Sequence, residues 1–209
     1  LGRVEPQPLD LEGNLHSDFA GKLSALWAEW SMRPEVTGMF TRPEAERLLL
    51  RSALRDGEVF TQLVRGKVPG LQHSTSVPFS LEMLEADFVP FNLNSTAGQQ
   101  VRQGIIVNDW GRPVGYRVYK YHPANMTRFS AELKTVSAEN MLHLAQRKRL
   151  HQLRGISLIH GVITRLSDIK DYEESERVAA RIAAALGFYI KRGDAQSLGD
   201  DGELSLIHI

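Results

Sequence analysis

The stretch Gly104-Ile105-Ile106-Val107-Asn108-Asp109-Trp110-Gly111-Arg112-Pro113-Val114-Gly115-Tyr116-Arg117-Val118-Tyr119 decides the fold class. Two β-rich runs flank a turn of Asn, Asp and Gly, residue types that tolerate the positive φ a tight hairpin demands. The sequence therefore predicts a hairpin with Asn108 and Asp109 as turn formers at its tip, not as metal ligands. Upstream, Glu58 to Arg65 sets Val59, Thr61 and Leu63 against Phe60, Gln62 and Val64, a strand pattern running up to Gly66. From Phe79 to Phe88 a strand and a short helix compete, because Leu81, Leu84 and Phe88 also fit a helical period. Between Ser137 and Leu153, Met141, Leu142 and Leu144 suggest a short buried strand.

Helices bracket these strands. Phe19, Leu23, Leu26, Trp27 and Trp30 fall at offsets 0, 4, 7, 8 and 11 and share one helical face. That predicts a helix from Ser17 to about Trp30, with Ser17 and Asp18 as N-cap and first-turn charge and the two tryptophans as core packing. Thr41 as N-cap, Pro43 and Glu44 in the first turn and Asp56-Gly57 as a stop predict a second helix. After Gly155, an apolar stripe from Ile159 through Val162, Ile163, Leu166, Ile169, Val178, Ile182 and Leu186 predicts a long helix, with a kink near Asp168 to Asp171. Its other face mixes signs, with Glu173 and Arg177 spaced for an ion pair, so it is expected to meet protein or solvent and not nucleic acid.

Composition limits the chemistry. In 209 residues, 25 basic groups balance 25 acidic ones, so no net field draws the chain to nucleic acid or an anionic membrane. With no cysteine, disulfides, thiolate nucleophiles and cysteine-ligated metal sites drop out. No apolar run approaches the roughly 20 residues needed to cross a bilayer, and no membrane partner is expected. The seven histidines show no HExxH spacing, and no G-x-S-x-G elbow, phosphate-binding glycine loop or dinucleotide pattern occurs. No catalytic, cofactor-binding or metal-ligating residue is assigned, and no cofactor is expected. One local charge cluster stands out: Arg147, Lys148, Arg149 and Arg154, with His151 among them, are assigned as a contact to phosphate or to an acidic neighbouring subunit, against the alternative of a solvated loop.

The ends do not read as those of a complete product. Leu1 and the Pro6 and Pro8 that follow resemble a loop entered midway, and Leu204-Ser205-Leu206-Ile207-His208-Ile209 resembles one reading frame of a transposon end used in sequencing libraries.

The order of these elements resembles the lambda-type phage portal proteins. The resemblance rests on the tryptophan-bearing helix, Arg55-Asp56-Gly57-Glu58-Val59-Phe60, the Asn108 to Tyr116 hairpin, Met141-Leu142-His143-Leu144, and Leu153-Arg154-Gly155-Ile156-Ser157 opening a long helix; it covers roughly residues 15 to 193. It implies an α+β fold, a portal wing-like region with amphipathic helices packed on a small mixed or antiparallel sheet and leading into a long helix. The expected organisation is a partial loop over 1–14, the wing-like region over 15–153, the helical region over 154–193, a polar tail over 194–203 and the adapter-derived segment over 204–209. The resemblance further implies a structural, non-enzymatic subunit of a ring, usually dodecameric, at one capsid vertex. Double-stranded DNA passes through such a ring, independent of sequence, in packaging and ejection. The ring docks terminase, capsid and head-completion or tail proteins, and resides in the virion after assembly in the host cytoplasm. The rival reading is a metal-dependent hydrolase or nuclease built from scattered residues such as Asp109, His143 and Glu173.

Overall fold

The structure, a computed structural model, describes residues 6–124 and 132–185. The chain divides into two compact units, with the boundary between His160 and Gly161.

In the first unit, helix α1 spans Ser17–Met32 and helix α2 spans Arg42–Asp56. The cap of α1 is His16 and not Ser17: its Nδ1 accepts from the Phe19 N–H at 3.2 Å, satisfying one of the donors orphaned at a helix start. The cap of α2 falls on Thr41 as expected, with its backbone N–H donating to Glu44 Oε2 at 2.9 Å. Gly57, at φ 87°, ends α2 in the left-handed conformation and turns the chain into β1.

Strand β1 (Glu58–Arg65) is the centre of a three-stranded antiparallel sheet. It pairs on one side with β2 (Phe79–Leu84), Phe60 opposite Leu84, and the strand reading of that segment prevails up to Leu84, with a 3-10 turn over Ala86–Phe88. The strands β3 (Val101–Arg102), β4 (Ile105–Val107), β5 (Pro113–Tyr119) and β6 (Leu133–Ser137) form a separate antiparallel sheet in that order. The first sheet is completed by β7 (Met141–Ala145), which pairs with β1 through Glu58 opposite Ala145 and Phe60 opposite His143. Two small sheets thus stand where one was expected. They share one core: Phe60, Leu84 and Met141 pack with Ile105, Tyr116, Val118 and Val136, and the Phe60 and Tyr116 rings meet edge-on at 5.7 Å. Lys134 on β6 and Glu82 on β2 also pair, Nζ to Oε2 at 2.6 Å.

The hairpin is the predicted one. The β4–β5 turn is closed by Asn108, whose Oδ1 accepts from the N–H groups of Trp110 and Arg112 at 3.1 and 2.9 Å, and by Gly111 at φ 77°.

Two expectations about burial need correction. On α1 the stripe is buried only at Trp30, which stacks on Phe79 and donates Nε1–H to the Phe79 carbonyl at 2.9 Å. Trp27 is half-buried and Leu26 is exposed, because the groove they line with Leu23 and Val77 is open on its outer side, and Phe19, outside that groove, is exposed as well. In β7 only Met141 is buried at the strand's start, while Leu142 and Leu144 occupy the outward positions of a period-two pattern and are exposed.

The second unit carries helix α3 (Ile163–Ala185), after a 3-10 turn over Leu158–Gly161. The helix begins at Ile163 and is continuous through Asp168 to Asp171. Arg177 pairs with Glu174 at 3.7 Å instead of with Glu173. Ile163, Leu166, Ile169, Val178 and Ile182 are exposed. The terminal segment over 204–209 lies outside the described residues.

Candidate functional site

Glu58 opens β1 immediately after the left-handed Gly57, and its side chain is 4% exposed. A carboxylate so far from water is costly unless every oxygen is occupied. Here both are. Oε1 accepts from Arg154 Nε at 2.6 Å, and Oε2 accepts from His143 Nε2 at 2.9 Å and from the Gly155 N–H at 2.8 Å.

Arg154 is buried in turn and spends the rest of its guanidinium on main-chain carbonyls: those of Val89 and Gln103 from Nη1 at 3.0 and 2.8 Å, and that of Ala86 from Nη2 at 3.2 Å. The guanidinium lies over the rings of Phe60 and Phe91, at 5.6 and 5.4 Å. One side chain thereby ties the start of β1 to the β2–β3 connection and to the turn between β3 and β4.

His143, at the position opposite Phe60, stacks on that ring at 4.2 Å. Arg147 Nη2 donates toward its Nδ1 at 3.3 Å, so the ring is neutral with the proton on Nε2, held by Glu58. Burial holds His143 below the ordinary imidazole range despite the adjacent carboxylate. Burial alone would raise Glu58, but the bond from His143, the Arg154 charge and the Gly155 N–H together hold it below the usual carboxylate range. Burial pushes the Tyr116 phenol up.

These placements sort the four basic residues singled out in the sequence. Arg154 is internal, whereas Arg147 is exposed and its guanidinium lies along the surface, donating also to the Leu153 carbonyl at 3.3 Å. Lys148 and Arg149 are exposed, on a loop whose backbone is pinned by Gln152 Oε1 at 3.0 and 3.2 Å. The residues of the rival hydrolase reading stand apart in character: Asp109 is exposed at the hairpin tip and His143 is enclosed by Glu58 and Arg147. Among the described residues no group of three or more acidic or histidine side chains is placed to hold a metal.

Above the buried pair opens a cleft of about 460 Å³. Phe91, Arg102, Arg149, His151 and Arg154 line it, and among the described residues no acidic one does. Phe91 is 60% exposed at its edge. With the Gln100 amide turned so that its oxygen accepts, Arg102 Nη2 and Nε lie 2.8 and 3.2 Å from that oxygen, which orients the guanidinium without neutralising it. Sequence reasoning missed Glu58, Phe91 and Arg102. A lone Glu at the head of an apolar strand was the available signal for the first; the cleft joins segments about 50 residues apart and left none.

The sequence profile of the family described as "Phage portal protein, lambda family" matches residues 3–205. A probable portal protein of Halomonas phage phiHAP-1 is 27% identical over 193 residues, covering 89% of this chain and 36% of that protein. The chain spans little more than a third of the length of that relative, 36%. The profile match extends over nearly all of the chain and through every element described above, and on that match the chain belongs to the lambda family of phage portal proteins.

Proposed function

We propose that this chain is part of a portal subunit: a structural virion component that assembles with copies of itself into a ring, dodecameric as is usual for such rings, at one capsid vertex. The ring passes double-stranded DNA inward in packaging and outward in ejection, independent of its sequence, and offers surfaces to terminase, capsid and head-completion or tail proteins. It assembles in the host cytoplasm and performs no catalysis of its own. The wing-like region over 15–153 and the helical region over 154–193 are the two working parts of this segment.

The observation that carries the reading is the family match across residues 3–205. The site chemistry agrees with it. The buried charges Glu58 and Arg154 satisfy one another and the surrounding backbone, which is what a rigid joint requires and leaves neither group free for proton transfer. The exposed apolar residues of α3 suit a helix that packs against other protein. Of the basic loop, Arg147, Lys148 and Arg149 are exposed and available to phosphate or to a neighbouring subunit, while Arg154 supports the loop from within.

The test is the size and activity of the product of the uninterrupted gene. Native mass spectrometry and negative-stain microscopy should find a closed ring, and incubation with DNA, nucleotides and ester substrates, with and without divalent metals, should give no turnover. A monomer with metal-dependent turnover abolished by an Asp109 or His143 substitution would overturn the reading.

A further inference from the structure

We propose that the cleft bounded by Phe91, Arg102 and Arg149 is a docking site for an acidic segment of a protein partner, one in which a carboxylate stands beside an apolar side chain. The proposal goes beyond the portal reading and does not depend on a ring forming, because the cleft lies wholly within the first unit.

Three features of the cleft select this occupant. The first is uncompensated charge. Arg154 is neutralised from below by Glu58, but among the described residues Arg102 and Arg149 have no acidic partner and no acidic residue lines the cleft. Two arginines that line one recess can offer it a planar, bidentate anion site, which a carboxylate fits. The second is Phe91. Its ring is held by the Arg154 guanidinium at 5.4 Å yet remains 60% exposed at the edge of the cleft, a fixed apolar surface next to the cations. An inorganic anion has nothing to place there, and an apolar side chain adjacent to the carboxylate does.

The third feature is shape. Duplex DNA presents phosphates on a convex surface and is gripped by extended basic stripes. Here the basic residues line a recess of about 460 Å³ on a chain with no net charge. That volume accommodates a few side chains of an extended peptide. The recess is also preformed: Gln100 orients Arg102, and Gln152 binds the N–H groups of Lys148 and Arg149 and donates Nε2–H to the Arg154 carbonyl at 2.7 Å. Little ordering remains to oppose binding.

The experiment is fluorescence anisotropy on the full chain with four probes: a labelled nonapeptide alternating Asp or Glu with Leu or Phe, a polyglutamate of equal charge, a labelled 12-base-pair duplex, and inorganic phosphate as competitor. The mixed peptide should bind best. The double variant Arg102→Ala/Arg149→Ala should weaken it at least tenfold, and Phe91→Ala should weaken it several-fold while leaving polyglutamate unchanged. Thermal melting checks that these exposed positions do not unfold the chain, and Arg65→Ala, an exposed cation outside the cleft, should leave binding unaltered. The proposal is overturned if the mixed peptide does not bind, or binds the double variant equally well. It is also overturned if polyglutamate matches the mixed peptide, which would mean charge attraction alone, or if the duplex binds the cleft more tightly than any peptide, which would mean a nucleic-acid site. A failure here leaves the ring measured by mass and microscopy untouched, and the reverse also holds.

Discussion

Gly57 and Gly155 cross with no room for a side chain on either: a Cβ on Gly155 would fall 2.0 Å from the Gly57 carbonyl oxygen, and one on Gly57 would fall 2.2 Å from the Ile156 carbonyl carbon. Both obstacles are backbone, and the Gly57 carbonyl is itself held by the Gln146 N–H at 2.8 Å, so neither strand of the crossing can yield cheaply. The close approach is what lets the Gly155 N–H reach Glu58 Oε2. Gly155→Ala should therefore cost more than about 3 kcal/mol, in the range of the severe single changes. Gly111→Ala at the hairpin tip is the comparison, because a Cβ there meets nothing and only its positive φ is penalised, by about 1–2 kcal/mol. Urea denaturation of both variants settles the matter: equal losses would mean that the crossing is looser than described.

The pair that the crossing encloses should behave as a unit. Removing Arg154 alone leaves Glu58 buried and unpaired, and Arg154→Ala or Glu58→Ala should each cost about 3–5 kcal/mol. Replacing both by methionine should cost less than the sum of the two, because no stranded charge remains. Strict additivity in a double-mutant cycle on denaturation midpoints would show that the two groups do not share their burial.

Much of this architecture was legible in the sequence, since the informative signals were local. Thr41, Pro43 and Gly57 bound α2, Asn108 and Gly111 shape the hairpin, and the alternation from Glu58 to Arg65 marks β1, all within a few residues of the structure they determine. The functional surfaces were less legible. Arg154 and Glu58 are 96 positions apart, and a basic residue in a basic run looks solvated until its partner is known. The same limit separated the four loop cations, of which one, Arg154, is buried. Amphipathic spacing showed which face of α1 is apolar but not how far the rest of the fold covers it.

That partial cover makes the two tryptophans of α1 unequal. Trp30 is 8% exposed, stacks on Phe79 and donates its indole N–H to a main-chain carbonyl. Trp30→Ala should cost about 3–5 kcal/mol, as expected for a truncated core aromatic whose loss also orphans an acceptor. Trp27 lines an open groove under the Arg42 guanidinium at 5.2 Å, and Trp27→Ala should cost less than half as much. Thermal unfolding of both variants gives the order, and a larger loss at Trp27 would show that the groove is covered in solution.

His143 and Glu58 make the first unit acid-sensitive, and the sign follows from the direction of both shifts. Burial lowers the His143 pKa in the folded chain, so below the ordinary value of 6.5 the unfolded chain takes up a proton that the folded chain still refuses. Its contribution to stability is fully present above 6.5 and is lost as pH falls from there toward its folded value, at a slope of at most about 1.4 kcal/mol per pH unit. Glu58 is also lowered, and its contribution begins to fail only when pH drops below the ordinary 4.5. Melting temperature should accordingly fall in two stages on acidification, the first belonging to the histidine. In His143→Gln, where an amide can still donate to Glu58 but cannot titrate, the first stage should shrink while the second persists. An unchanged slope between pH 6.5 and 5 in that variant would assign the acid sensitivity to other groups and would contradict the neutral, Glu58-bound state of His143.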